Sequence, residues 1–280
     1  MFSPISFELG LVDAYPNPYK SKSPYTFPFL GGRGDDYIVG DDEDNVLKGF
    51  AGNDIFLGRG GDDVIYGGKG SDYVGFRLAN TFFEQRTKGV FVSLSQGLAI
   101  DSKGGTDRLF SIEHVEGSQF DDELIGNRKS NDISGGPGND KLLGMDGDDL
   151  LHGSYGADFL IGGKGRDTFL YTDVLDGGDR IHGFKSGVDQ FLMRGPVNWF
   201  AGQIGDNRNI IDYTGTLKAE NFFLGSSASN DNQVFGYNAA TKQVLYDANG
   251  SQKGGVSVIA TLTGSTSIVA SDIDIYQVIV

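Results

Sequence analysis

The chain is 280 residues long with 38% hydrophobic residues, enough to bury a core, and its 44 glycines and 7 prolines stay below a low-complexity composition. A formal charge of −15, with no run of Lys or Arg to offset it, argues against nucleic acid and anionic membrane surfaces as partners. Cysteine is absent, which removes disulfides, thiolate zinc sites and cysteine nucleophiles. No segment is long and apolar enough to cross a bilayer, and the N-terminus lacks the basic and apolar regions of a cleaved export signal.

Residues 1–30 hold five of the seven prolines and little periodicity. The expectation is an extended lead-in, or a strand covering an open sheet edge that would otherwise pair with other chains. From Gly31 the sequence falls into units of nine. They open at Gly31, Gly40, Gly49, Gly58 and Gly67 and, after an interruption, at Gly117, Gly126, Gly135, Gly144, Gly153 and Gly162. Place six holds Asp36, Asn45, Asp54, Asp63, Asp72, Asp122, Asn131, Asp140, Asp149, Asp158 and Asp167. Place eight is apolar in every unit, from Ile38 to Phe169.

The first six residues of such a unit suit a turn, because glycine permits positive φ and close backbone approach and Asp or Asn accepts hydrogen bonds locally. The last three suit a very short strand whose place-eight side chain points inward. One unit cannot bury its own apolar face, so two units per coil, stacked, give a continuous core. Stacked coils set aspartates such as Asp140 and Asp158 roughly 5 Å apart, one strand spacing. Calcium relieves that repulsion, since it takes carboxylate and carbonyl oxygens in flexible geometry; magnesium, with its strict octahedron and retained waters, fits less well.

These residues resemble the RTX (repeats-in-toxin) nonapeptide GGxGxDxUx of calcium-binding β-helices. The resemblance implies an all-β fold, a calcium-bound parallel β-roll (a right-handed β-solenoid) with a C-terminal β-rich cap. The candidate metal turns of the first block carry Gly32, Gly34, Asp36, Gly52, Asp54, Gly61, Asp63, Gly68, Gly70 and Asp72. Those of the second carry Asp122, Gly136, Gly138, Asp140, Gly147, Asp149, Gly156, Asp158, Gly163, Gly165 and Asp167. Place four departs from glycine at Glu43, Phe120 and Lys129, so the turns ending at Asn45 and Asn131 are the weakest candidates. Two coordinating turns per ion give roughly seven interior calcium ions.

Between the blocks, Val90, Val92 and Leu94 alternate as a strand, and Leu109, Ile112 and Val115 continue an apolar spacing. GVFVSL followed by DRLFSIEHVEGS is similar to a segment common in RTX proteins, and we read residues 76–116 as larger coils continuing the solenoid; a substrate-binding insertion is the alternative. After the second block, DGGDRIHGFKSGVDQFLM resembles a capping segment, with Asp179 and Asp189 either ligating a last calcium or making solvated turns. The YDANGS and VIATLTG stretches are similar to the C-terminal region of serralysin-type proteins. The resemblance implies an uncleaved type I secretion signal in the tail around Asp272 and Asp274, with a buried last strand as the structural alternative. The organisation expected is a lead-in (1–30), repeat block 1 (31–75), larger coils or insertion (76–116), repeat block 2 (117–170) and a C-terminal cap (171–280).

No HExxH helix, GxSxG elbow or P-loop is present, and His114, His152 and His182 have no ligand-spaced partner. The expected protein is not an enzyme. It is secreted by the type I machinery, folds on calcium outside the cell, and serves as an extracellular or cell-surface component that binds polysaccharide or cells. The alternative is the C-terminal RTX part of a secreted protease, lipase or epimerase.

Overall fold

A computed structural model describes residues 28–77, 88–196, 216–247, 254–264 and 267–278. Most of the lead-in, part of the interruption and the last two residues of the tail lie outside them, as do residues 248–251 of YDANGS. Among the described residues the protein is all-β apart from three short 3-10 turns, and its strands form one sheet of 14 and one of 9.

Within the repeat blocks, successive short strands alternate between the two sheets and pair in parallel with the strand two units away. Tyr37 lies beside Ile55, Val46 beside Val64, Asp132 beside Leu150 and Lys141 beside Phe159, an offset of 18 residues in every case. That offset is the two-unit coil expected from the nine-residue period. Leu47, Phe56, Ile65, Val74, Leu124, Ile133, Leu142, Leu151, Leu160 and Phe169 form one column of fully or almost fully buried side chains shared by both sheets. Burying each contributes about 1.5–3 kcal/mol, so the column is a large share of the apolar stabilisation of the repeat blocks. The architecture is a parallel β-roll.

Phe29–Leu30 pairs in parallel with Val46–Ala51 at the edge of the larger sheet. Between the blocks, Phe91–Ser93, Leu98–Ile100 and Thr106–Phe110 make an antiparallel meander that joins Val64–Lys69 to Glu123–Ile125 within that sheet. Apolar spacing alone did not distinguish this meander from a wider coil. Val90, Val92, Leu109, Ile112 and Val115 are buried.

The cap continues both sheets. Asp179–His182 is parallel to Phe159–Lys164 and to Val256–Thr263, while Gln190–Pro196 joins Thr168–Tyr171 to the last strand, Ile273–Val278. Phe169, Tyr171, Phe184 and Phe191 cluster where the roll meets the cap. Ile273 and Ile275 are buried, so the start of the tail is a core strand.

Candidate metal centre

The turns between strands stack into two columns, one leading into each sheet. Every place-one glycine faces the place-six side chain of its own unit: a Cβ on Gly49 or Gly162 would collide with the Asp54 or Asp167 carboxylate. Glycine is needed there for room. Left-handed backbone is needed elsewhere, at places two and four, as at Gly68 (φ +121°) and Gly70 (φ +128°).

Two kinds of turn emerge. In the units opening at Gly49, Gly58, Gly67, Gly135, Gly144, Gly153 and Gly162, places two and four both have positive φ, even where place two is Phe50, Arg59, Met145 or Ser154. In each, the place-six aspartate accepts at Oδ1 the place-six amide of the preceding coil. Asp54 N–H donates to Asp72 at 2.9 Å, Asp140 N–H to Asp158 at 2.7 Å, and Asp149 N–H to Asp167 at 3.2 Å. Oδ2 of Asp54, Asp63, Asp72, Asp140, Asp149, Asp158 and Asp167 is buried with no hydrogen-bond partner. We call these turns open.

The units opening at Gly31, Gly40, Gly117 and Gly126 are closed. Their place-six side chains accept the place-two amide of the same turn: Gly32 N–H to Asp36 (2.6 Å), Asp41 N–H to Asn45 (2.7 Å), Ser118 N–H to Asp122 (2.6 Å) and Asn127 N–H to Asn131 (2.7 Å). Neither place two nor place four has positive φ, Gly32 and Gly34 included. Each closed turn is the first of its column within a block. Its place-four carbonyl still serves the turn stacked on it: Gly34, Glu43, Phe120 and Lys129 present their carbonyls to Gly52, Gly61, Gly138 and Gly147. A first turn contributes a backbone oxygen whatever its side chain, which accounts for Glu43, Phe120 and Lys129 at place four.

At the far end of the columns the protein supplies donors. Asp179 accepts Asp158 N–H at Oδ1 (3.0 Å) and the buried Tyr171 hydroxyl at Oδ2 (2.9 Å), and Asp189 accepts from Asp167 N–H (3.1 Å) and Lys185 N–H (2.8 Å). Of the aspartates expected as ligands, Asp36, Asp122, Asp179 and Asp189 thus spend oxygens on protein donors. The Tyr171 bond joins residues eight apart with no repeat signal, so sequence reading missed it.

Burial makes the open carboxylates costly to ionise. It pushes the Asp63 and Asp140 carboxyls up to about 8, Asp149 to about 7, and Asp72 and Asp167 to about 6, against an amide hydrogen bond that lowers each and neighbouring aspartates that raise it further. Asp54 and Asp158 are also raised by burial. Asp176 is the contrast. Burial opposes its charge too, yet donation from Thr172 and contact with His152 hold its carboxyl below the usual range.

A divalent cation fits the open turns. The orphaned oxygens are carboxylate, the facing groups are peptide carbonyls, and that all-oxygen donor set suits calcium. Among the described residues no three His, Asp or Glu side chains converge on one point. The remaining ligands of any ion held here would come from backbone oxygens, such as the stacked carbonyls of Gly34 and Gly52, and from water. Also among the described residues, no helix is long and apolar enough to cross a membrane. His114 meets Ser71 and the Asp132 amide, His152 meets Asp176, and His182 meets Thr263.

The family model of the RTX calcium-binding nonapeptide repeat matches residues 30–65, 49–75, 116–151 and 134–169. No curated protein matches the chain. Among solved structures, the AlgE6R3 subunit of the Azotobacter vinelandii mannuronan C5-epimerase is similar at 28% identity over 55% of this chain and 78% of that one, with a TM-score of 0.35. The extracellular lipase LipA from Serratia marcescens is similar at 19% identity over 91% of this chain, with a TM-score of 0.32; the match spans 41% of the lipase.

Proposed function

The chain carries RTX calcium-binding nonapeptide repeats, and from that premise we propose that it is a secreted, non-catalytic β-roll protein whose folding is switched by calcium. One observation carries the reading: seven buried aspartates, one per open turn, each with an oxygen lacking any protein donor. Ionising them in a metal-free fold is unfavourable, and a cation at each turn reverses the sign.

Extracellular calcium modules bind with dissociation constants of about 10⁻⁴ to 10⁻³ M. At tenfold excess over that constant each site stabilises by about 1.4 kcal/mol, so about seven sites supply about 10 kcal/mol, comparable with the whole stability of a domain. In a low-calcium cytosol the chain stays unfolded and competent for the type I secretion machinery, and it folds outside. The carboxylates sit in turn columns, clamped by amides of neighbouring coils, which supports a ligand cage over a proton-transferring pair. Once folded, the calcium-stiffened roll serves as an extracellular or surface component that engages polysaccharide or cells.

The test is far-UV circular dichroism of the full chain titrated with calcium from excess chelator, with magnesium as control. A cooperative, calcium-specific gain of β signal is expected. Full β signal in chelator would overturn the reading.

A further inference from the structure

The column of turns at Gly40 and Gly58 does not end with the first repeat block. Thr106–Phe110 pairs in parallel with Val64–Lys69, and Asp63 N–H donates to Asp107 Oδ1 at 3.0 Å, the bond that links consecutive open turns elsewhere. Residues 101–107, DSKGGTD, therefore stack on the Gly58 turn as a further nonapeptide turn would, although they lie outside the residues that match the repeat.

Three features make this turn a place for an ion. Asp101 is 5% exposed; its Oδ1 accepts Lys103 N–H (2.7 Å) and Gly105 N–H (2.9 Å), and its Oδ2 is buried without a partner. The Ser102 hydroxyl is buried without a partner as well. The Gly61 carbonyl faces Gly105 as the Gly52 carbonyl faces Gly70, and a Cβ on Gly105 would collide with that oxygen while standing 3.1 Å from Asp101 Oδ2. The space glycine leaves is thus bordered by a carbonyl and an unpaired carboxylate. Asp107 adds negative charge close by; burial pushes its carboxyl up to about 7, and Asp101 and Asp62 raise it further. The Lys103 ammonium reaches Asp42 at 3.0 Å.

We propose that the turn 101–107 is a calcium site outside the nonapeptide repeats, built from Asp101 Oδ2 and the Gly61 carbonyl, which ties the inserted meander to the first repeat block. It differs from an open turn in the source of its carboxylate. Here the orphaned oxygen comes from six residues before the place-six equivalent, Asp107. All donors are hard oxygens, so the ligand is calcium rather than a softer metal. Filling the site fixes the connection between Leu98–Ile100 and Thr106–Phe110, part of the meander that joins the two blocks within the larger sheet.

The inference rests on the calcium reading of the repeats, and its test separates the two. Calcium bound per full-length chain is counted by equilibrium dialysis at saturation for the parent, Asp101→Asn and Gly105→Ala. Asp101→Asn keeps the shape of the side chain; Gly105→Ala keeps the charge and fills the space. Amide hydrogen exchange over residues 98–110 is followed in parallel. Each variant is expected to bind one ion fewer than the parent and to lose protection in that segment, with the repeat blocks still protected. Equal counts in all three, with the repeats loaded, overturn this site alone. A parent that binds no calcium overturns the repeat reading with it.

Discussion

The turns ending at Asp122 and Asp140 differ by one coil and share a place-six aspartate, yet their chemistry diverges. Asp122 accepts its own turn's Ser118 amide and hydroxyl and the Val90 amide. Asp140 accepts only the amide of the coil before it and keeps Oδ2 bare in the interior. What separates them is the neighbour beneath: Asp140 has a nonapeptide turn offering the Phe120 carbonyl, and Asp122 opens its column. An open turn is thus a property of two consecutive turns, the place-four carbonyl of the lower one set against the place-four glycine of the upper one. The Gly31 unit teaches the same lesson, since it has glycine at places one, two and four and an aspartate at six, and still closes on itself.

Place four gives the sharpest way to break this comparison. Gly147 holds φ +121° in an open turn, and a side chain there would strike the Lys129 carbonyl. Gly147→Val is expected to cost about 1–2 kcal/mol in backbone strain and to remove an ion as well. The calcium midpoint of folding should rise roughly tenfold or more. Lys129→Val, at place four of a closed turn, forfeits only an exposed ion pair with Glu113 and should leave the midpoint within about twofold. Equal shifts in the two circular dichroism midpoints would erase the distinction.

Removing the charge alone has a smaller effect. Asp149→Asn should bind one ion fewer and lose about 1.4 kcal/mol of stabilisation at tenfold excess calcium. Asp122→Asn should bind as many ions as the parent. Equilibrium dialysis distinguishes them.

Acidity acts in opposite directions with and without metal. Burial raises the open carboxyls above the unfolded value of 3.8, those of Asp63, Asp72, Asp140, Asp149 and Asp167 to between about 6 and about 8. Without calcium they disfavour the fold progressively as pH rises from about 4 to about 8, so acidifying a chelated sample from pH 8 to 5 should increase its β signal. With calcium present, protons compete for the same oxygens. The calcium midpoint should then move to higher concentration over the same interval, and a midpoint independent of pH would contradict the assignment.

The smallest change expected is at the closed turns. Asn45→Asp restores the repeat residue at the start of a column, loses the Asn45 amide donation to Asp41, and should add no ion. Its cost should be about 0.5–1.5 kcal/mol in thermal unfolding.

The coil and the core were legible because both follow from period nine: the eighteen-residue pairing offset and the buried column at place eight are direct consequences of it. Within the repeats, the aspartates with orphaned oxygens were all among the residues singled out by spacing. Which turns close was not legible, because closure depends on what lies one coil below, and a unit such as GGRGDDYIV carries no mark of being first. Asp101 escaped notice because it stands outside the period. The Tyr171 hydroxyl on Asp179 escaped because it depends on how the cap folds against the last coil.

The most direct test of shared sites is the number of calcium ions held by the full-length parent at saturation. Two turns per ion predict about seven from the repeats, with one more from the turn at Asp101. A count of about eleven, one for each place-six residue including the first turns of every column, would contradict the account, as would a folded chain that holds none.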